Sequence, residues 1–129
     1  MAILDISYDV DIFQKTESGY IPYNPDSEWQ ILWNGKKEDQ IIYRKRNGVV
    51  NILGDSFGSL SVNAKTNLLL GVLPVGYRPA REVITLGTPK DYTGYPFQIN
   101  IQVDGSVFIT NLHPNNARSY WGFNITYLV

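Results

Sequence analysis

The chain has 129 residues, enough for one domain that buries its own core without disulfides or metals. Its 11 basic and 12 acidic side chains leave a net charge of −1 without any block of like charge, which argues against a nucleic-acid or anionic-membrane surface. The absence of cysteine excludes disulfide and thiolate chemistry, and an aromatic fraction of 13% favours wet interfaces or ligand platforms.

The first segment, residues 1–28, is predicted to be a linker or a shoulder remnant that leads into the main domain, residues 29–129. Acidic residues stand where a signal peptide carries basic ones, so we expect a soluble protein without a classical signal in this chain. Alternating apolar residues predict a half-buried strand over residues 6–12, and a turn-rich connection with two prolines follows over residues 19–27.

The main domain opens with an aromatic alternation that ends at the turn dipeptide Asn34-Gly35. Trp29, Ile31 and Trp33 are two residues apart, so we expect them to share one face of a strand. That face is expected to join the core or a subunit interface.

The clearest hairpin surrounds the dipeptide Asn47-Gly48, which favours a two-residue type I′ turn because both positions need positive φ. This turn pairs Tyr43 with Ile52 and Lys45 with Val50. We expect this set of residues, rather than the set on the opposite side of the hairpin, to face the core.

The longest apolar run, Leu68 to Leu73, is predicted to be a strand buried on both faces, because Pro74 stops it too early for a helix. Gly76 and Pro79 then hold a turn open. Before this run, residues 55–66 carry a broken alternation that indicates a loop or an irregular edge strand.

A short strand is predicted over residues 81–86, followed by a polar, aromatic loop over residues 87–96. A second hairpin follows over residues 97–111, with two possible turns. We prefer the three-residue turn that leaves Gly105 left-handed, because it sets Ile99 against Ile109 on the buried face.

The last strand alternates cleanly over residues 121–129, with aromatic and apolar residues on one side. Short strands, closely spaced turns and the lack of a convincing helix predict an all-β fold of antiparallel strands, either a jelly-roll-like β-sandwich or a barrel.

The catalytic inventory is thin, and we expect neither an enzyme nor a cofactor or metal site. His113 is the only histidine, has no acid beside it in the sequence, and is expected to be a surface loop residue that contacts a ligand. No spacing pairs two carboxylates as a glycosidase requires, and Asp104 is more simply a turn residue. Trp121 is expected in the core.

Two polar loops carry the candidate binding residues. Aromatic rings beside Asp, Asn, Gln and Arg are typical of saccharide sites, because ring faces take sugar C–H groups and planar polar groups take paired hydroxyls. One loop offers Asp91, Tyr92 and Tyr95, and the other offers His113 and Arg118. The same loop aromatics are also typical of simple loop anchors.

Four stretches together resemble the C-terminal head domain of receptor-binding proteins, or related tail-fibre proteins, of siphophages that infect Gram-positive bacteria. They are the hairpin YRKRNGVVNI, the strand end LPVGYRP, the strand pair INIQVDGSVFI and the final strand YWGFNITYLV, and the resemblance covers residues 29–129. It implies a homotrimer at the tail tip or baseplate of the virion that binds host cell-wall polysaccharide or teichoic acid without cleaving it. It also implies contact with other tail proteins through an N-terminal part, and saccharide contacts from outward-facing Gln98 and Asn100.

Two alternatives stay open. The chain is either a monomeric carbohydrate-binding module with Trp29, Trp33 or Tyr92 as its platform, or a purely structural module of another phage tail protein. Oligomeric state separates the first alternative from the trimeric adhesin, and binding to host cells separates the second.

Overall fold

A computed structural model describes residues 26–36, 38–91 and 94–129, and the chain in these ranges is built from β-strands. The strand predicted over residues 6–12 lies outside them, as do residues 1–25 of the linker or shoulder remnant predicted over residues 1–28. No helix occurs among the described residues, and so none that could span a bilayer. The eight strands are β1 (Gln30–Asn34), β2 (Gln40–Arg46), β3 (Val49–Val62), β4 (Asn67–Val72), β5 (Val83–Pro89), β6 (Phe97–Ile101), β7 (Ser106–Asn111) and β8 (Arg118–Leu128).

All strands pair antiparallel in the order β1-β2-β3-β8-β5-β6-β7-β4. The sheet almost closes on itself, since β1 and β4 at its two ends approach each other at Leu32 and Gly71. A Cβ added to Gly71 would lie 2.7 Å from Leu32 Cδ1, so a larger residue there would force the Leu32 side chain to move. The predicted all-β sandwich or barrel is confirmed.

The first hairpin has the predicted register, with Tyr43 opposite Ile52 and Lys45 opposite Val50. Asn47 and Gly48 both have positive φ, at 51° and 76°, as the type I′ turn requires. All four paired side chains are buried. Lys45 is the unusual member, because burial lowers the pKa of its amine.

The second hairpin also has the preferred register, with Ile99 opposite Ile109. Gly105 adopts φ of 92°, which confirms the three-residue turn. Asp104 is the predicted turn residue, since its carboxylate accepts a hydrogen bond from the Ser106 amide at 2.9 Å.

Two predictions that came from local apolarity were wrong: burial of the run from Leu68 to Leu73 on both faces, and one shared face for Trp29, Ile31 and Trp33. Most of the run lies in β4 at one end of the sheet order, where Leu69 and Val72 are about half exposed. On β1, an irregularity between Ile31 and Trp33 breaks the alternation, so Ile31 is exposed while Trp33 packs on the core.

Residues 55–66 form an irregular edge strand over most of their length, one of the two predicted forms. β3 runs to Val62, but β2 pairs with it only as far as Asp55, so beyond that residue β3 is paired with β8 alone. The predicted irregularity is real, since the register with β8 shifts between Phe57 and Val62. The strand predicted over residues 81–86 is β5, which ends at Pro89, so the loop after it spans only residues 90–96.

The core lies inside the barrel and centres on Trp121, which is fully buried as predicted. Its ring stacks on Phe123 at 6.0 Å between centroids, and its Nε1 donates to the Leu60 carbonyl at 3.1 Å. Alternation along β8 therefore aims the aromatic face inward, as the sequence indicates.

The two ends of the barrel differ in what they present. The Asn47-Gly48 turn lies at one end, where both Ser27 and Val129 form backbone hydrogen bonds with the first hairpin. The loops that follow β5 and β7 lie at the opposite end, beside the start of β8.

Candidate functional site

Two loops meet at the end of the barrel away from the Asn47-Gly48 turn, and they carry most of the predicted binding residues. We define the loop pair as residues 91–96 and 112–118, where Arg118 is also the first residue of β8. The first loop follows β5 and the second follows β7, and β8 brings them together because it pairs with β5 at Thr88 and Pro89. Tyr92 lies outside the described residues.

An ion pair joins the two loops. Arg118 Nε lies 3.4 Å from Asp91 Oδ2, with about a fifth of one side chain and a quarter of the other exposed. Arg118 Nε and Asp91 Oδ1 are also buried without a hydrogen-bond partner among the described residues. Buried polar atoms of this kind usually have a water or ligand partner in the functional state.

A second contact joins the same loops at Tyr95 and His113. The Tyr95 ring is 44% exposed and meets the His113 ring edge-on, with 4.7 Å between centroids. The structure therefore brings together four of the seven predicted site residues in one place. Its exposed surface combines an aromatic ring, a carboxylate and a guanidinium.

The prediction that His113 is a surface residue was wrong, because only 9% of it is exposed. Its Nδ1 accepts hydrogen bonds from the backbone amides of Asn115 and Asn116, each at 3.1 Å. The buried His113 side chain therefore stabilises the loop backbone, because these two amides lie outside the strands and donate to its ring nitrogen instead.

Asn111 is a positioning residue that the sequence predictions missed. Its amide donates to the carbonyls of Val62 and Asn116 at 2.9 Å, and its Oδ1 accepts from the His113 amide at 2.9 Å. The residue is 1% exposed. A signal was present in the sequence, since Val107 and Ile109 alternate with it on the inward face of β7 and a polar residue there needs partners.

Gln98 and Asn100 lie elsewhere, on the outer face of β6. Gln98 Nε2 donates to Asn100 Oδ1 at 2.9 Å, and Asn100 Nδ2 donates to Glu82 Oε2 at 2.7 Å. Both are half-buried, and the exposed side chains of Ile84 and Leu86 lie opposite them on β5. No hydrogen bond described here connects this row with the loop pair.

The tryptophan platforms of the alternative module are only partly available. Trp29 is 37% exposed, but the Arg44 guanidinium lies over its ring at 4.5 Å from the centroid. Trp33 is half-buried against the core.

Asp39 is a buried carboxylate at the loop-pair end of the barrel, and only 5% of the residue is exposed. Its Oδ2 accepts from the amides of Phe57 at 2.8 Å and Ser59 at 3.2 Å, and so holds the irregular part of β3. The hydrogen bond with the Ser59 side chain, joined by those from the two amides, outweighs burial and lowers the pKa of Asp39. Across the described ranges, no group of three His, Asp or Glu side chains is placed to share a metal ion.

The described residues form an almost closed β-barrel with polar and aromatic loops at one end, and this fold resembles that of a phage head domain. The chain is similar to the head domain of phage bIL170, described as a receptor-binding domain of lactococcal phages, with a TM-score of 0.61 and 18% identity. The match covers 79% of this chain and 97% of that one. The predicted resemblance is thereby confirmed at the level of fold, although no family model and no curated protein matches the sequence.

Proposed function

We propose that the chain is the receptor-binding head of a phage tail protein, which binds a host cell-wall saccharide at the tail tip or baseplate. The observation that carries the proposal is the loop pair, whose two loops are joined both by the Asp91–Arg118 ion pair and by the contact of the exposed Tyr95 ring with His113. The fold of the bIL170 head domain supports the same role, since that domain is described as receptor-binding.

The chemistry of the loop pair suits a polyol. Vicinal hydroxyls both donate and accept, so one sugar edge can donate to Asp91 while accepting from Arg118. The Tyr95 ring offers an apolar face to sugar C–H groups, and Tyr92, which lies outside the described residues, belongs to the same predicted set. Gln98 and Asn100 supply a second row of amides for further sugar units.

Binding without cleavage is part of the proposal. Glycoside hydrolysis uses two carboxylates that flank the scissile bond. Asp91 is the one acid in the sequence of the two loops, and it is paired with Arg118. The loop pair therefore has the polar groups to hold a saccharide but not the acid pair to hydrolyse it.

We also propose that the head is a homotrimer that packs through the outer face of β4, β7, β6 and β5. One row across that face runs from Leu69 through Phe108 and Asn100 to Ile84. Leu69 is 49% exposed and Ile84 is 58% exposed, an apolar surface that a neighbouring subunit would cover. Because Gln98 and Asn100 lie within this face, their proposed saccharide contacts would be made at the seam between two subunits, and three sites per head add avidity.

The test is binding of the fluorescently labelled protein to a panel of Gram-positive cells, with and without competing wall saccharide. We expect saturable binding to a few strains that one saccharide abolishes and that Arg118→Gln weakens. Arg81→Gln is the matched control, because Arg81 is an exposed arginine outside the loop pair. Wild-type binding by folded Arg118→Gln would refute the assignment of the site.

Light scattering tests the trimer separately. We expect a mass three times that of the chain, and Leu86→Lys is expected to lower it because Leu86 is 62% exposed on the proposed interface. A monomer in the wild-type protein would refute the trimer, and a trimer that binds no strain would favour a structural module.

A further inference from the structure

A second surface groove lies on the outer face of β3, β8 and β5, and none of the predicted site residues lines it. Its volume is about 320 Å³, within the usual range for small-molecule sites. The walls that matter here are Asp55 on β3, Asn124 on β8, and Thr88 and Lys90 at the end of β5. Four different polar groups therefore converge on one groove.

Gly122 forms the floor of this groove. A Cβ there would lie 2.8 Å from Lys90 Cε and 3.0 Å from Asp55 Oδ1. The missing side chain lets the Asp55–Lys90 ion pair lie across β8 and bridge its two neighbouring strands. Half of the Asp55 side chain stays exposed, so its carboxylate can accept hydrogen bonds from a ligand.

An aromatic corner lies beside the groove on the same face. Phe57 is two residues after Asp55 on β3, Tyr120 is two residues before Gly122 on β8, and their rings are perpendicular, with 6.2 Å between centroids. Phe57 is 58% exposed and Tyr120 is 44% exposed. The Lys90 amine lies 4.1 Å from the Phe57 ring centroid, which ties the corner to the ion pair.

We propose that this groove is a second saccharide subsite, which holds one uncharged pyranose unit of the same wall polymer. The inference rests on the proposed function, because the groove and the loop pair are adjacent: Lys90 and Asp91 are consecutive in the chain. The sugar's C–H face stacks in the Phe57–Tyr120 corner. Its hydroxyls donate to Asp55 and accept from Asn124 and Thr88.

The charge of the groove selects an uncharged unit over a phosphate. Lys90 already has Asp55 as its partner, so the pair contributes no net positive charge. A phosphate would compete with Asp55 for the amine and would meet the exposed carboxylate at close range. A neutral ring makes both hydrogen bonds without that repulsion.

The experiment is amide NMR of the labelled full chain, titrated with methyl α-D-glucopyranoside, N-acetyl-D-glucosamine, D-galactose, L-rhamnose and, as the anionic probe, glycerol 1-phosphate. At least one neutral sugar is expected to shift the amides of Gly58 and Gly122. Phe57→Ala and Gly122→Ala are each expected to raise the dissociation constant fitted to the groove shifts about tenfold. Leu128→Ala is the matched control, since Leu128 is exposed on β8 away from the groove.

The readouts separate this inference from the proposed function. Shifts confined to loop-pair amides such as Gly94 and Asn115, or no groove shift with any neutral sugar, would overturn the subsite and leave receptor binding standing. Stronger groove shifts with glycerol 1-phosphate would also overturn it. Groove shifts in a protein that binds no host cell would show a sugar site in the groove but refute the proposed function and, with it, the assignment of that sugar to a wall polymer. Phe57→Ala removes an exposed ring, so it tests the groove even if Gly122→Ala does not fold.

Discussion

The most direct test of how the site is built is the substitution Asn111→Ala. It removes three hydrogen bonds at once from a residue that is 1% exposed, and it leaves the Val62 carbonyl, the Asn116 carbonyl and the His113 amide without their partner. Each such bond contributes about 0.5–1.5 kcal/mol net, so the loss of three should lower the free energy of unfolding by about 1.5–4.5 kcal/mol. Urea denaturation measures the loss, with the slope unchanged if the unfolded state is unaffected.

The matched control for Asn111→Ala is Asn51→Ala on the outer face of β3. Asn51 makes one side-chain hydrogen bond, to Thr126 Oγ1 at 2.7 Å on the surface. We expect its loss to cost less than about 1 kcal/mol. Equal costs for the two variants would refute the argument that Asn111 organises the loop.

A conservative variant sharpens the same prediction. Asn111→Asp keeps an oxygen for the His113 amide but turns both donated bonds into contacts between a carboxylate and a carbonyl. It should therefore be at least as destabilising as Asn111→Ala. Both variants should also weaken binding to host cells under conditions where they remain folded, because the loop that carries Arg118 loses its anchor.

Three further predictions concern turns and pH. Gly105→Ala should lower the melting temperature, because φ is 92° and the added Cβ would lie 2.5 Å from the Leu73 carbonyl oxygen. Circular dichroism on heating measures the change, and Gly94→Ala is the control, because Gly94 has a similar φ of 81° but open space around it. Since the pKa of Asp39 is lowered from 3.8, its contribution to the free energy of unfolding is present above that pH and is lost on acidification. Plots of unfolding free energy against pH for wild type and Asp39→Asn should therefore converge in acid, and parallel plots would contradict this. Burial raises the pKa of Tyr127 above its ordinary 10.0, so the free energy of unfolding should fall as pH rises past that value, because Tyr127 ionises in the unfolded chain first. Urea titrations of Tyr127→Phe should show a smaller fall over the same pH range.

Most of the fold could be predicted because the hairpins carry local signals. Asn47-Gly48 specifies its turn, and the Ile99–Ile109 pairing follows from keeping apolar residues on one face. The place of a strand in the sheet has no such signal. Leu69 and Val72 are as apolar as core residues, yet β4 ends the sheet order, so local pattern alone could not show that they are exposed.

The candidate site was predictable as residue types and not as geometry. Asp91 and Arg118 are far apart in sequence, and their ion pair depends on β8 lying between β3 and β5. The burial of His113 depends on two amides of its own loop, which composition does not reveal. Gln98 is likewise separate from the loop pair because its side chain lies on the outer face of β6, opposite Leu86.

Residue 26 and the loop pair lie at opposite ends of the barrel, and this separation has a mechanical consequence. Residue 26 joins the barrel at the Asn47-Gly48 end, where the Asp26 carboxylate accepts from the Asn47 amide at 2.8 Å, and β1 runs from there toward the loop pair. If the loop pair is held by a surface and the chain is pulled from residue 26, the load lies along the strands. Ladder hydrogen bonds are perpendicular to that direction, so the bonds between β1 and β2 are strained together in shear instead of opening one at a time. A barrel loaded this way resists detachment forces better than its thermal stability alone would indicate.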